Sequence, residues 1–393
     1  MKDTWREKAV LAVLLVASMT TFMGGAAVAP CLPQMAQAFP DASSTAISLV
    51  ITLPGLTVAA FGFFVGAFAD RVGKVRTLVL ATVIFTVAGY APLLLDSLEL
   101  ILAARLVLGV GIAGIAVSTT ALISDIFSGE KLTKALALQS AAMGAGVLVL
   151  ETGGGFLAEY GWRMAFWMYT IGPVILLGAA LFLREPKKGA DRDDAAERAD
   201  GQVATFARRA IVLAVGGGAF CAFLDNATSF TIPGRLPFYV EELGATSSTS
   251  GLILGFHGLS LAVSSLVQGR LALSWSRSRL VFASFFLIGA GLLVIGFIPH
   301  IAAAVAAGVL TGIGGGLVIP TILQWMTSVA TPLTSGKITG CNTAAVNLGQ
   351  FACSLLMAPA LALTGSSAGL FVVFGVAVLV LGCIVAPLLA KVR

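Results

Sequence analysis

Charge is what this chain most lacks. Lys, Arg, Asp and Glu make up only 11% of the residues, against 58% apolar ones, and the mean hydropathy is +0.98. A water-soluble fold of this length needs more polar cover, which excludes an ordinary soluble domain. Histidine occurs only twice, and no His/Cys group has metal-ligand spacing, so no metal or other cofactor is expected. The five cysteines (Cys31, Cys221, Cys341, Cys353 and Cys383) lie scattered in apolar runs without a CxxC pair. They read as small buried hydrophobes and not as a disulfide framework. No G-x-x-x-x-G-K-S/T loop is present, so ATP is not expected as the energy source. The triple glycines at 153–155 and 314–316 fall inside apolar runs, where small residues let helices pack closely. No nucleophile–base constellation is found either, so no enzyme is expected. The net charge of +5 hints at nucleic acid, but the loops give it a topological cause and no such partner is expected.

Long apolar runs are abundant, and about 20 such residues make a helix that crosses a bilayer. Twelve candidate spans are read at roughly 9–35, 45–69, 77–95, 98–123, 135–158, 163–183, 209–239, 248–271, 279–298, 301–326, 338–363 and 367–389. The first is too long for the apolar core of a cleaved signal peptide and reads as a span. One long charged segment, "REPKKGADRDDAAERADGQVATFARR", divides the chain. The expected architecture is all-α and membrane-embedded: a six-helix bundle over 1–183, a linker over 184–208 and a second six-helix bundle over 209–393.

Basic residues fall on alternate connections. Lys2, Arg6 and Lys8, then Arg71, Lys74 and Arg76, then Lys131 and Lys134 share one side with the central segment, Arg270, Arg277, Arg279, Lys337, Lys391 and Arg393. The other side carries only Arg163 and Arg235. The positive-inside rule then puts both termini in the cytoplasm and the chain in the cell (inner) membrane.

The second half repeats the first at an offset of 203. "AARLVLGVG" (103–111) lies over "AAGVLTGIG" (306–314), Pro30 over Pro233, and Gly146 over Gly349. Gly66, Ala69, Lys74 and Arg76 lie over Gly269, Ala272, Arg277 and Arg279. An even number of spans per copy makes the copies parallel, with a site between them at mid-depth.

The stretch "GAFADRVGKVR" (66–76) joins spans 2 and 3. It resembles the signature loop of the major facilitator superfamily, G-x-L-A-D-R-x-G-R/K. The loop is met by Gly66, Ala69, Asp70, Arg71, Gly73 and Lys74, with Phe68 in place of Leu, and Arg76 follows it. "LILAARLVLGVGIAG" and "GFLAEYGWRMAFWMY" are similar to the fourth- and fifth-helix segments of its drug/proton antiporter branch. The resemblance implies a twelve-span transporter that rocks two halves, with this loop latching the cytoplasmic side while the outside is open. As a simpler reading, the loop anchors topology, although Asp70, Gly66 and Gly73 are then unaccounted for. The duplicate loop has Leu273 in place of Asp70. One departure stands out. The branch carries a Gly-Pro pair in helix five where this chain has Leu150 and Glu151.

Charges in hydrocarbon are costly and mark sites for attention. Arg105 in span 4 and Glu151 in span 5 lie at similar depth and are expected to pair, either as a fixed lock or as a carboxylate that exchanges its arginine for a proton or substrate. Their counterparts Gly308 and Ser354 lack charge together. Asp225, beside Asn226 in span 7, has no evident basic partner and is expected as the main proton carrier, or else as a lone hydrogen-bonded acid. His257 in span 8 relays protons or simply bonds a neighbouring helix. Asn342, Asn347, Gln350 and Gln324 read as interhelical hydrogen-bonders. Phe22, near the middle of span 1, is a candidate cavity residue. The expected function is proton-coupled efflux of small organic or amphipathic compounds by a monomer in the lipid bilayer. Symport or uniport of a metabolite, or a non-transporting membrane sensor, are the alternatives.

Overall fold

The computed structural model describes residues 2–25, 27–185, 208–329 and 334–391, and among them every regular element is helical. Most of the expected linker, residues 186–207, lies outside the described residues. The helices are α1 (Lys2–Met19), α2 (Leu32–Ala38), α3 (Ser44–Val72), α4 (Lys74–Tyr90), α5 (Leu98–Ile126), α6 (Gly129–Ala158) and α7 (Ile171–Phe182). The second half continues with α8 (Arg208–Ser229), α9 (Thr231–Glu242), α10 (Ser247–Leu271), α11 (Arg277–Phe297), α12 (Ile301–Thr327), α13 (Ser335–Thr364) and α14 (Ser367–Lys391). A 3₁₀ stretch, Trp162–Thr170, leads into α7.

Starts are fixed locally. Ser43 accepts from the Ala46 amide at the head of α3, and Ser97 from the Leu100 amide at the head of α5. Ser276 and His300 do the same for α11 and α12. Each supplies an acceptor that the first turn of a helix otherwise lacks.

Among the described residues, ten helices are long and apolar enough to cross a membrane, and they correspond to ten of the twelve expected spans. Spans 1 and 7 differ, because each is interrupted. Span 1 runs as α1, two short 3₁₀ turns (Thr20–Phe22 and Ala29–Cys31) and α2. Span 7 breaks between Ser229 and Thr231 into α8 and α9. Gly24, Gly25, Pro30 and Pro33 in one, and Pro233, Gly234 and Pro237 in the other, remove donors and stiffness that a continuous helix needs.

Helix contacts follow the duplication. A side-chain carbon added at Gly109 would lie 2.4 Å from the Pro54 carbonyl oxygen and 2.7 Å from Thr57 Cβ. At Gly312, 203 residues on, it would meet the His257 oxygen at 2.3 Å and Ser260 Cβ at 3.0 Å. Gly111 faces Ala81 and Phe85, and Gly314 faces Ser284 and Ile288, again at the common offset. Gly146 lies on Met19 and Gly349 on Phe223, so span 5 packs on span 1 as span 11 packs on span 7.

Two seams join the halves: α3 against α13, and α6 against α10. Duplication exchanges these pairs, as expected of copies related by an axis along the membrane normal. The α10 face at Gly251, Gly255 and Gly258 lies directly on Glu151, Leu148 and Val147 of α6. In the other seam Thr52 and Ser354 share a hydrogen bond of 2.8 Å, and Gln350 donates to the Ile51 carbonyl.

Gly111→Ala and Gly314→Ala are each expected to lower stability by about 1–3 kcal/mol, the usual cost of overpacking. Thermal unfolding in detergent reads both. An unchanged midpoint for either one counts against the matched backbone approach.

Candidate functional site

The halves meet at the end opposite the basic loops. At the end opposite the basic loops, Gln34 donates to Ser247 Oγ at 3.0 Å, Gln37 to Glu241 at 2.6 Å, and Ser248 to Glu159 at 2.5 Å. A cavity of about 350 Å³ lies there, lined by residues of both halves including Pro33, Gln34, Glu159, Glu241 and Ser247. Towards the basic end, a carbon added at Gly62 or Gly66 of α3, Gly269 of α10 or Gly340 of α13 would meet nothing within 4 Å. The contacts that close the molecule thus lie opposite its basic loops, while these four glycines beside the loops face open space.

The signature loop is built from three contacts. Gly73 has φ +113°, a conformation that favours glycine, and a Cβ there would collide with the Glu185 carboxylate at 2.7 Å. That carboxylate accepts from the backbone amides of Lys74 (2.5 Å), Val75 (3.1 Å) and Arg76 (3.4 Å), capping α4. Lys74 pairs with Asp125 of α5 at 2.5 Å. Arg71 and Asp70 are exposed, and Asp70 makes no hydrogen bond or ion pair among the described residues. Neither Glu185 nor Asp125 stood out in the sequence, because both lie far along the chain from the loop.

Arg105 is fully buried and has no carboxylate partner among the described residues. Its Nε donates to the Val50 carbonyl at 2.8 Å, and its two terminal nitrogens to Tyr169 Oη (2.7 Å) and the Gly24 carbonyl (2.5 Å). The guanidinium lies 5.7 Å from the Phe166 ring centre and 5.5 Å from that of Tyr169. These acceptors have a cause. Pro54 has no N–H, so the carbonyl four residues earlier, Val50, lacks a partner within α3. Gly24 lies in the break of span 1. Tyr169 in turn donates to the Met23 carbonyl at 3.1 Å, in the same break.

The expected Arg105–Glu151 pair is therefore overturned. Glu151 is 5% exposed, and its Oε2 has no hydrogen-bond partner among the described residues. It sits in the α6–α10 seam, 3.8 Å from where a carbon on Gly258 would stand. Matched depth was read correctly, but the two side chains leave their helices in different directions. The loss of the arginine in the second half has its own reason: His257 occupies the position of Pro54 and restores the N–H, while Gly308 stands in place of Arg105.

His257 Nδ1 lies 3.1 Å from both the Gly308 carbonyl and Thr311 Oγ1, so the ring is bonded to α12. Asp225 is 2% exposed. It receives Ser229 Oγ and Asn226 Nδ2, each at 3.3 Å, both from its own helix. It lies two turns beyond Gly218, whose face packs on Ile322 and Met326 of α12. Asn226 faces Gly349 of α13, and Phe22 is 49% exposed. Gln350 bridges to α3, and Gln268 donates to Gln324 at 3.3 Å, as expected of interhelical bonders, whereas Asn347 donates to the Thr343 carbonyl of its own helix at 2.9 Å.

Comparison with known proteins bears on this arrangement. A family model for the Major Facilitator Superfamily matches residues 14–234 and 215–393. Multidrug resistance protein 1 of Bacillus subtilis is 26% identical over 240 residues, 58% of this chain and 61% of that protein. Multidrug efflux pump LfrA of Mycolicibacterium smegmatis is 31% identical over 193 residues, 47% of this chain and 37% of the pump. The match thus spans less than two thirds of either relative. Among solved structures, a bacterial homolog of the human lysosomal transporter Spinster, in an inward-facing and occupied conformation, superposes with TM-score 0.77. It is 16% identical and covers 98% of this chain and 97% of its own. A D-xylose-proton symporter gives 0.73 at 14% identity, with 96% of each chain covered. At such identities the likeness is one of fold.

Two tests follow from the geometry. Arg105→Gln and Glu151→Gln share no contact, so their stability losses should add within about 0.3–0.5 kcal/mol in a thermal double-mutant cycle. A larger coupling would restore the pair. The second concerns closure. The Ser248 hydroxyl, with Thr246 beside it, holds the Glu159 carboxyl below its ordinary range. Its support for the closed end is therefore present above the ordinary carboxylate pKa and lost as pH falls through the lowered value. Distance probes across that end should show opening on acidification, and Glu159→Gln should remove that response.

Proposed function

The chain belongs to the Major Facilitator Superfamily and is a multi-pass membrane transporter, not an enzyme, and from that premise we propose that it exports small organic or amphipathic compounds in exchange for protons. The basic end is cytoplasmic on this reading, by the positive-inside rule, and both termini lie there. The two bundles, over 1–183 and 209–393 with the linker 184–208 between them, are the parts that rock. The form described above is then inward-facing, with its closure on the external side.

The observation that carries the reading is Glu151. A carboxylate with an unpartnered oxygen lies in the seam where the halves move against each other, so its surroundings change whenever the seam does. An acid in such a place is suited to take a proton from one side and release it to the other. Asp225 is the second proton site on this reading, buried and with no cation bonded to it among the described residues. Arg105 is a positioning residue that holds span 1 against span 4. Phe22, Asn226 and His257 line or support the substrate path. Asp70, free in the inward-facing form, engages the other half when the cytoplasmic side closes. Likeness to multidrug resistance proteins supports small organic substrates.

Symport is the second reading, and the same residue favours it. Leu150 and Glu151 stand where the antiporter branch carries a glycine–proline pair in helix five.

The test is transport into proteoliposomes under an imposed pH gradient, screened across amphipathic cations and neutral compounds. Substrate moving against the proton gradient supports antiport, and substrate moving with it supports symport. Glu151→Gln and Asp225→Asn are each expected to abolish gradient-driven accumulation while exchange down a substrate gradient continues. Full uphill transport in either variant removes that residue from the proton path.

A further inference from the structure

A second cavity lies outside the path between the halves. It measures about 750 Å³ and lies between α11 and α14 at the basic end. Its apolar wall includes Phe282, Phe286, Ala283 and Cys383, while Trp275 and Arg279 stand at its rim. Phe282 and Phe286 are stacked with centres 6.4 Å apart, and both are largely exposed. They come one turn apart on the outer face of α11. The opposite face of that helix is packed against its neighbours, as Phe285 and Ile288 are fully buried.

The polar rim carries one sign of charge. Arg279 is exposed and forms no ion pair among the described residues. Neither α11, the turn before it, nor α14 contains a single Asp or Glu. Ser278 cannot neutralise the rim, because its hydroxyl is engaged with the Ala386 carbonyl at 2.5 Å. Trp275, 43% exposed, lies just before the first residue of α11, and rings of this kind favour the boundary between chains and headgroups. The groove thus has a cationic head, an interfacial aromatic and an apolar floor running into the membrane, in that order. Its size is that of a small-molecule pocket.

We propose that this groove binds an anionic phospholipid from the leaflet at the basic end. The phosphate meets the Arg279 guanidinium, and one acyl chain lies along Phe282 and Phe286. A zwitterionic lipid matches the floor equally well but leaves the uncompensated cation poorly answered. A free phosphate matches only the rim. The site is separate from both seams and does not depend on the direction or coupling of transport.

Cys383 reports occupancy, since it lies in the groove and is exposed. With Cys341→Ser as background, it is the one exposed cysteine among the described residues. The full chain is reconstituted in phosphatidylcholine with or without phosphatidylglycerol, and alkylation of Cys383 by N-phenylmaleimide is timed. Phosphatidylglycerol is expected to slow the reaction several-fold. Arg279→Gln should lose that protection, Arg279→Lys should keep most of it, and Phe282→Ala with Phe286→Ala should weaken it. Inorganic phosphate added to phosphatidylcholine vesicles should give none. Equal rates in the two lipids, or full protection in Arg279→Gln, overturns the proposal. So does protection that follows protein density instead of lipid charge, with Cys383 cross-linking to a second copy.

Discussion

Within hydrocarbon, every backbone carbonyl and amide has to be answered from inside the protein, because no water is there to do it. The arrangement of this chain depends on that constraint at several places. Where a proline withdraws an amide, as at Pro54, the carbonyl it leaves is met by Arg105. Where span 1 breaks, Gly24 and Met23 expose carbonyls that Arg105 and Tyr169 occupy. The guanidinium charge is consequently stabilised by carbonyl and hydroxyl dipoles and by ring faces, with no carboxylate in contact among the described residues. Its burial fastens spans 1, 2, 4 and 6 at a single point.

Association of the helices has a different origin. Lipid tails are as apolar as leucine, so burying apolar faces against each other gains little, and close contact of backbones matters more. The 45 glycines serve that purpose where they touch carbonyls of a neighbouring helix. Gly109 on Pro54 and Gly312 on His257 are one matched instance. The seams divide the work differently: α3 and α13 join through hydroxyls and an amide, whereas α6 and α10 join through glycines around one acid.

Spans, loops, duplication and the signature loop were all legible in the sequence, because hydropathy, charge and spacing are one-dimensional quantities. Depth was legible too, and Arg105 and Glu151 do lie at comparable positions along their helices. Azimuth was not. The sequence of one chain does not say that residue 105 turns towards spans 1 and 2 while residue 151 turns towards span 8. A signal was nonetheless present in the repeat, since Pro54 and Arg105 are replaced together by His257 and Gly308. Glu185 and Asp125 were out of reach for the same reason as any contact between distant segments. The interruptions of spans 1 and 7 were foreshadowed by their glycines and prolines, although a hydropathy window reads across them.

The closed end has a consequence for kinetics. Asp41, Asp96, Glu99, Glu159, Glu241 and Glu242 lie in the connections on that side, against only Arg163 and Arg235. Two of these acids, Glu159 and Glu241, belong to the contacts that hold the halves together. The mouth that opens when those contacts part is thus ringed by negative charge, while the other mouth is ringed by positive. Such a rim concentrates cations from the adjoining solution and repels anions before any binding contact forms. The enrichment reaches about one Debye length, roughly 8 Å at physiological ionic strength. On the proposed reading, the approach of cations to this mouth is electrostatically steered, faster in dilute salt and progressively slower as salt is added.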